Sequence, residues 1–75
     1  MTKQECIDKA RAEKKYFEDF EVGPDDDNQT CVQVWDGDFS YIDYIFSADE
    51  QLIGATEYTL LCNSVEVKDL FKEEN

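Results

Sequence analysis

The side chains of this 75-residue chain that could take part in chemistry are its carboxylates and its three cysteines, because it contains no histidine. Without histidine the commonest general base is absent, and nucleophile activation by a Cys–His or Ser–His pair is impossible. The 19 acidic residues outnumber the 7 basic ones. So many acids make any chosen carboxylate pair uninformative without a cleft. We therefore expect a protein that is not an enzyme and that binds no cofactor.

The cysteines Cys6, Cys31 and Cys62 are widely separated along the chain. A structural zinc site takes four nitrogen or sulfur ligands, normally in close pairs, and this sequence has neither a C-x-x-C motif nor a histidine. We expect no metal site and interpret the cysteines as free thiols that fill a hydrophobic core in a reducing compartment. A Cys31–Cys62 bridge stays open as an alternative if those residues lie on neighbouring strands.

The formal net charge of −12 is unevenly distributed along the chain. From Tyr16 to Val67 there are thirteen carboxylates and no lysine or arginine. Direct binding to nucleic acid or to an anionic membrane is disfavoured, since both require basic residues. A cationic protein partner, attracted at long range, is favoured instead. The alternative of a solvated acidic surface that binds nothing stays open.

Three segments rich in β-branched and aromatic residues are the first of the elements that must position these acids. They predict strands at about 30–35, 39–46 and 52–61. The Asp36-Gly37 pair and the Ala48–Glu50 segment interrupt them, which predicts two hairpins and an antiparallel sheet.

A helix is predicted at each end of the chain. Thr2 and Glu5 form a capping-box pattern, and the first helix is expected to run to about Asp19. Its apolar residues recur at helical spacing; they are Cys6, Ile7, Ala10, Phe17 and Phe20. Asn63-Ser64 predicts the cap of a short second helix over Val65 to about Glu73. The apolar stripe of this second helix is Val67, Leu70 and Phe71.

Together these elements predict the α+β fold class, with the order α-β-β-β-α in a single domain of residues 1–75. The N-terminal helix packs on the three-stranded antiparallel sheet. Alternation gives each strand an apolar face and a mixed face, with Leu52 and Tyr58 expected on the same face of the third strand. The C-terminal segment or a second copy of the chain could cover the mixed face. Alternatively, it is an acidic contact surface with aromatic anchors, which protein interfaces favour.

The segment from Glu21 to Gln29 is predicted to be a loop, because Gly23-Pro24 stops regular structure. Three consecutive aspartates, Asp25–Asp27, follow. An EF-hand needs alternating ligands, a central glycine and a terminal glutamate across twelve residues, and this loop has none of these. The aspartates are therefore assigned to a solvated loop or to an acidic binding surface.

Two residues along a strand advance roughly 6.6 Å, so carboxylates on the sheet could form rows that imitate DNA phosphates. The candidate partner-binding residues are the acids and aromatics of the central region. They are Asp25, Asp26, Asp27, Trp35, Asp36, Asp38, Tyr41, Asp43, Asp49, Glu50 and Glu57.

One stretch of the sequence resembles the central hairpin of a family of small phage-encoded anti-CRISPR proteins. It comprises Val34-Trp35-Asp36-Gly37-Asp38, Tyr41, Tyr44, Phe46 and Leu52-Ile53. That family inhibits the type I-F surveillance complex by mimicking DNA. The resemblance covers about a third of the chain and requires a one-residue insertion before the Leu-Ile pair; the C-terminal helix expected here is also shorter and less acidic. It implies that Asp36 and Asp38 contact the target, whereas Asp25–Asp27 are our own extension.

These observations predict an acidic inhibitor that occupies the basic nucleic-acid-binding groove of a bacterial defence protein, either a CRISPR effector or a nuclease. The sequence leaves two alternatives open: an immunity protein that neutralises a cationic nuclease toxin, and a small dimeric adaptor. The N-terminus lacks the apolar core of a signal peptide, and no apolar run approaches the roughly 20 residues that span a bilayer. We expect a cytoplasmic protein, in the host cell if it is phage-encoded, with no membrane contact.

Overall fold

One helix packs on one face of a five-stranded antiparallel sheet in the computed structural model, which describes residues 1–23 and 28–71. The strands lie in chain order, each paired with the next. The elements are α1 Lys3–Ala12, β1 Phe17–Glu21, β2 Thr30–Trp35, β3 Ser40–Phe46, β4 Leu52–Leu60 and β5 Val65–Asp69. The predicted order of three strands and a C-terminal helix is therefore wrong, although the helix-on-sheet arrangement and both central hairpins are present.

The start and the buried face of α1 are as predicted. The Thr2 N–H donates to Glu5 Oε1 at 2.8 Å, and the Glu5 N–H donates to Thr2 Oγ1 at 3.2 Å, which completes the capping box. The buried side chains of the helix are Cys6, Ile7 and Ala10, and they pack against Val32, Val34 and Phe46 of the sheet.

The end of α1 differs from the prediction, because the helix stops at Ala12 rather than near Asp19. Lys14 adopts the left-handed conformation, with φ of 58°. Its N–H donates to the Arg11 carbonyl at 3.0 Å, and the Lys15 N–H donates to the Ala10 carbonyl at 2.9 Å. These two hydrogen bonds form a Schellman motif. The motif usually has a glycine at the left-handed position. Because this position is a lysine, the sequence carried no signal for the end of the helix.

Replacing Lys14 with glycine should stabilise the fold, because a left-handed conformation costs a non-glycine residue about 1 kcal/mol. We expect Lys14→Gly to raise the free energy of unfolding, measured by urea denaturation, by roughly 0.5–1 kcal/mol. The matched control is Ala12→Gly, in the last residue of α1, where the backbone is still right-handed; it should lower the free energy of unfolding by about 0.5–1 kcal/mol. Destabilisation by both variants would show that the Schellman motif is wrongly placed.

Residues 17–20 illustrate how a strand can imitate a helix. Phe17 and Phe20, assigned to the apolar face of the predicted helix, lie on opposite faces of β1 instead. Phe17 pairs with Val34 and packs against the core, whereas Phe20 pairs with Cys31 and is 43% exposed. An i, i+3 pair fits a helical stripe, but in a strand the odd spacing places the two rings on opposite faces.

The predicted C-terminal helix is a strand, β5, over Val65–Asp69. A tight turn precedes it, in which the Leu61 N–H donates to the Ser64 carbonyl at 2.8 Å. Valine alternates with polar residues along the Val-Glu-Val-Lys-Asp segment, a period-2 pattern with β-branched residues that favours a strand. The Leu70 N–H continues the pairing by donating to the Ala55 carbonyl at 2.8 Å. The part of the predicted helix beyond residue 71 lies outside the described residues.

A β-bulge at the start of β4 changes which face its residues share. Phe46 pairs with Leu52, but the preceding residue Ile45 pairs with Gly54, so Ile53 is the extra residue. Leu52 therefore packs on the core, while Tyr58 lies on the opposite face, paired with Tyr41. The prediction that Leu52 and Tyr58 share a face is wrong, because alternation was counted through the bulge.

Candidate protein-interaction surface

The sheet face turned away from α1 has no described helix or strand packed over it. We call it the open face. Its members follow from the register of the strands. They are Glu18 and Phe20 of β1, Cys31, Gln33 and Trp35 of β2, Tyr41, Asp43 and Ile45 of β3, Gly54, Thr56, Tyr58 and Leu60 of β4, and Val65, Val67 and Asp69 of β5. Antiparallel sheets commonly solvate one face, but that face is then mostly polar. Here it is largely apolar and aromatic, which makes it the first candidate for a contact surface.

A row of aromatic rings crosses the open face. The Trp35 and Tyr41 ring centroids lie 4.5 Å apart, and those of Tyr41 and Tyr58 lie 5.0 Å apart with an interplanar angle of 21°. The register extends the row to Val67 on β5, which pairs with Tyr58 and is 59% exposed. Each aromatic contact contributes about 0.5–1.5 kcal/mol beyond its buried area, so the rings are held in place before any partner binds.

A polar row runs beside the aromatic one. The Trp35 indole N–H donates to Gln33 Oε1 at 2.9 Å, and Gln33 Nε2 donates to Asp43 Oδ1 at 3.0 Å. The row continues through register positions on the outer strands, with Glu18 on β1 and Asp69 on β5. Strands lie about 4.8 Å apart, so a carboxylate occurs on every second strand, roughly 10 Å from the next.

Positive charge is absent from the open face. Every open-face position belongs to the described residues, and none is lysine or arginine. On the helix side, by contrast, Lys3 Nζ lies 3.0 Å from Asp19 Oδ2, and Arg11 lies 5.5 Å from the Phe17 ring centroid. The two sides of the sheet therefore differ in charge, and the only charged groups that the open face offers a partner are carboxylates.

The predicted partner-binding residues fall into separate groups. Trp35, Tyr41 and Asp43 lie together on the open face. Asp36 and Asp38 lie in the exposed β2–β3 loop, so strand spacing does not apply to them. The residues away from this cluster are Asp49 and Glu50, in the turn at the other end of β3, and Glu57, on the helix side opposite Ile42. Asp25, Asp26 and Asp27 lie outside the described residues.

Sequence reasoning missed several residues of the open face. Tyr58 was assigned to the wrong face by the bulge, and Glu18, Val67 and Asp69 were assigned to helices. Gln33, which connects the indole to the Asp43 carboxylate, carried no charge or aromatic signal. The alternation of valine with polar residues after Ser64 was the one pattern that could have revealed the β5 members.

The cysteines divide into two buried thiols and one exposed one, all free. Burial raises the pKa of Cys6 to about 11. Burial, followed by the nearby Asp43 carboxylate, raises the pKa of Cys31 to about 12. Cys62 is exposed in the β4–β5 turn, so its assignment to the core is wrong. Because β3 lies between β2, which carries Cys31, and β4, the two cysteines are not on neighbouring strands, and the Cys31–Cys62 bridge is not formed.

Thiol reactivity should follow this division, because the thiolate is the reacting form. With Ellman's reagent at pH 8 we expect one fast thiol per native chain and three in denaturant. The fast thiol should disappear in Cys62→Ser and remain in Cys31→Ser. Fast reaction of two or more native thiols would contradict this burial.

The buried thiols also make stability depend on pH. Since the folded pKa values of Cys6 and Cys31 exceed the unfolded value near 9, their contribution to stability should be complete below pH 9 and fall as the pH rises above it.

Other kinds of site receive less support from the described residues. A cleft between α1 and the sheet is lined by charges of both signs, including Lys9, Glu13 and Lys15, and by Tyr44. The Lys15 ammonium contacts Glu13 at 3.0 Å. Residues 1–23 and 28–71 contain no group of three or more side chains able to hold a metal ion. The described helix is too short and too polar to cross a bilayer.

The fold and the open face together define a small α+β protein in which a single helix covers one side of an antiparallel sheet and leaves an acidic, aromatic side uncovered. Comparisons of the chain with protein-family models, with curated proteins and with solved structures find no match.

Proposed function

We propose that this protein is a non-catalytic inhibitor whose open face docks into the basic nucleic-acid-binding groove of a bacterial defence protein. The observation that carries the proposal is the combination of an ordered aromatic row and carboxylates, with no cation, on one uncovered sheet face. Aromatic side chains are favoured anchors in protein interfaces, and charge complementarity steers association and selects partners.

Arginine on the target is the natural counterpart of this surface. Guanidinium groups stack on aromatic faces and pair with carboxylates, and grooves that bind nucleic acid are rich in them. Trp35 and Tyr58, the rings at the two ends of the row, would supply the faces, with Tyr41 held between them. Asp43, Glu18 and Asp69 would supply the charges. This mode of binding differs from a phosphate-spaced row of carboxylates, since the described open-face acids are roughly 10 Å apart.

The resemblance to DNA-mimicking anti-CRISPR proteins favours a CRISPR effector as the target class, and Asp36 and Asp38 would extend the contact from the β2–β3 loop. The protein would then act in the cytoplasm of the infected cell. A cationic nuclease toxin presents the same chemistry, so immunity against such a toxin is the alternative with the same open face as its site.

The test is a pull-down from bacterial lysate with the immobilised protein at 50 and at 300 mM NaCl, followed by elution with duplex DNA. We expect retention of a basic nucleic-acid-binding protein at low salt, a loss of at least tenfold at high salt, and release by DNA. Identification of the eluted protein distinguishes a defence complex from a secreted nuclease. Binding that neither salt nor DNA affects would contradict the proposal.

A further inference from the structure

Strand β5 has a free outer edge among the described strands. It pairs only with β4, and all five of its residues are exposed. The Leu61–Ser64 and Leu70–Ala55 hydrogen bonds, together with the register, direct the backbone groups of Glu66 and Lys68 toward β4. The N–H and C=O groups of Val65, Val67 and Asp69 therefore point outward, where they can bond another strand.

We propose that this edge pairs with β5 of a second copy of the chain, in an antiparallel dimer whose two-fold axis passes through the Val67 pair. Val67 then lies opposite Val67, and Val65 lies opposite Asp69. Each of these pairs uses outward-pointing backbone groups, so each exchanges two N–H···O bonds. Glu66 of one copy lies opposite Lys68 of the other, and the pair recurs by symmetry. This inference does not rest on the proposed function.

Charge selects this register over its neighbours. Outward-pointing groups also meet when the axis passes through Glu66 or through Lys68, but those registers place Glu66 opposite Glu66 or Lys68 opposite Lys68. Opposite charges directly across a sheet stabilise it and like charges destabilise it. The other edge strand, β1, carries three carboxylates and no cation, so self-pairing there would bring like charges together.

The dimer would join the two open faces into one surface, with the valines of β5 linking the two aromatic rows. A contact along one short strand is small, and two chains with a net charge of −12 repel each other. We therefore expect a dissociation constant on the order of 10 µM that becomes lower as salt screens the repulsion. This salt response is opposite to that expected for binding a basic partner.

The experiment is sedimentation equilibrium from 2 to 300 µM in 300 mM NaCl on the wild type, on Glu66→Lys and on Lys68→Glu. Each single variant places like charges across the two-fold axis and should weaken self-association by about tenfold or more. Glu66→Lys does so even though it lowers the net negative charge. An equimolar mixture of the two variants restores both opposite-charge pairs, so it should form a heterodimer about as tight as the wild-type dimer.

A fourth variant tests the backbone bonds. Val67→Pro removes an outward N–H that β4 does not use, so it should abolish the dimer while circular dichroism shows a folded monomer. A wild type that stays monomeric to 300 µM would overturn the proposal. So would a dimer that the charge reversals leave unchanged, or a variant mixture that associates no better than its components.

Discussion

Phe46→Ala is expected to lower the free energy of unfolding by about 3–5 kcal/mol, the largest single-residue effect in this fold. Phe46 is 0% exposed and packs in the core that α1 shares with β2. Truncation leaves a cavity between helix and sheet, which a well-packed core refills only in part. A chain of this length has a total stability of roughly 4–11 kcal/mol, so much of the variant population should be unfolded at 37 °C.

Urea denaturation followed by tryptophan fluorescence measures this effect, since Trp35 lies on the sheet itself. Phe39→Ala is the matched control: it removes the same ring from a site that is 71% exposed and should change stability by less than about 0.5 kcal/mol. Equal effects of the two substitutions would mean that the core is not where the packing places it.

Tyr41→Ala is expected to weaken binding of the partner protein by roughly 30-fold, or about 2 kcal/mol. Tyr41 is the central ring of the aromatic row, with Trp35 on one side and Tyr58 on the other. Its removal takes away the ring that both neighbours contact, so neither is held in place for the partner. Because aromatic contacts also stabilise the sheet, a loss of about 1–2 kcal/mol in unfolding free energy should accompany the effect.

A conservative control separates binding from folding in the Tyr41 experiment. Tyr41→Phe keeps the ring and should bind within about threefold of the wild type. Affinities are compared by calorimetry with the partner identified in the pull-down and purified free of nucleic acid, at a temperature where every variant is more than 95% folded. Wild-type affinity in Tyr41→Ala would exclude the aromatic row from the interface.

The features of the fold that depend only on residues close together in the chain were predictable from the sequence. The Thr2 and Glu5 capping box defined the start of the helix, and alternation placed Val32 and Val34 on the core face of β2. Asp36-Gly37 indicated a hairpin turn, and Gly37 adopts a φ of +81° there. In each case the pattern and the physical cause lie within a few residues of each other.

The errors arose where local patterns were ambiguous and long-range pairing decided the structure. Phe17 with Phe20, and Val67 with Leu70, fit a helical stripe as well as a strand. Pairing with β2 and with β4 satisfies their backbone groups and determines the outcome. Within the segments, the alternation of valine with polar residues in Val65–Asp69 was the one signal that favoured the strand. The bulge at Ile53 is likewise a property of two strands together, so Tyr58 could not be assigned to the open face.

The charge on the open face was predictable only in part. The absence of lysine and arginine between residues 16 and 67 is visible in the sequence, and it correctly indicated an anionic sheet. The grouping of the acids was not visible, because it depends on five strands in register. Asp43 belongs to the candidate surface, whereas Glu57, on the neighbouring strand, faces the helix side.

A matched neutralisation experiment tests most directly whether the open face is the docking surface. One variant combines Glu18→Gln, Asp43→Asn and Asp69→Asn; the other combines Asp8→Asn, Glu21→Gln and Glu57→Gln, all away from the open face. Both lose three negative charges, so general attraction falls equally. In the low-salt pull-down, the open-face variant should lose at least nine-tenths of the captured partner while the helix-side variant keeps most of it. Equal capture by the two variants would contradict the account.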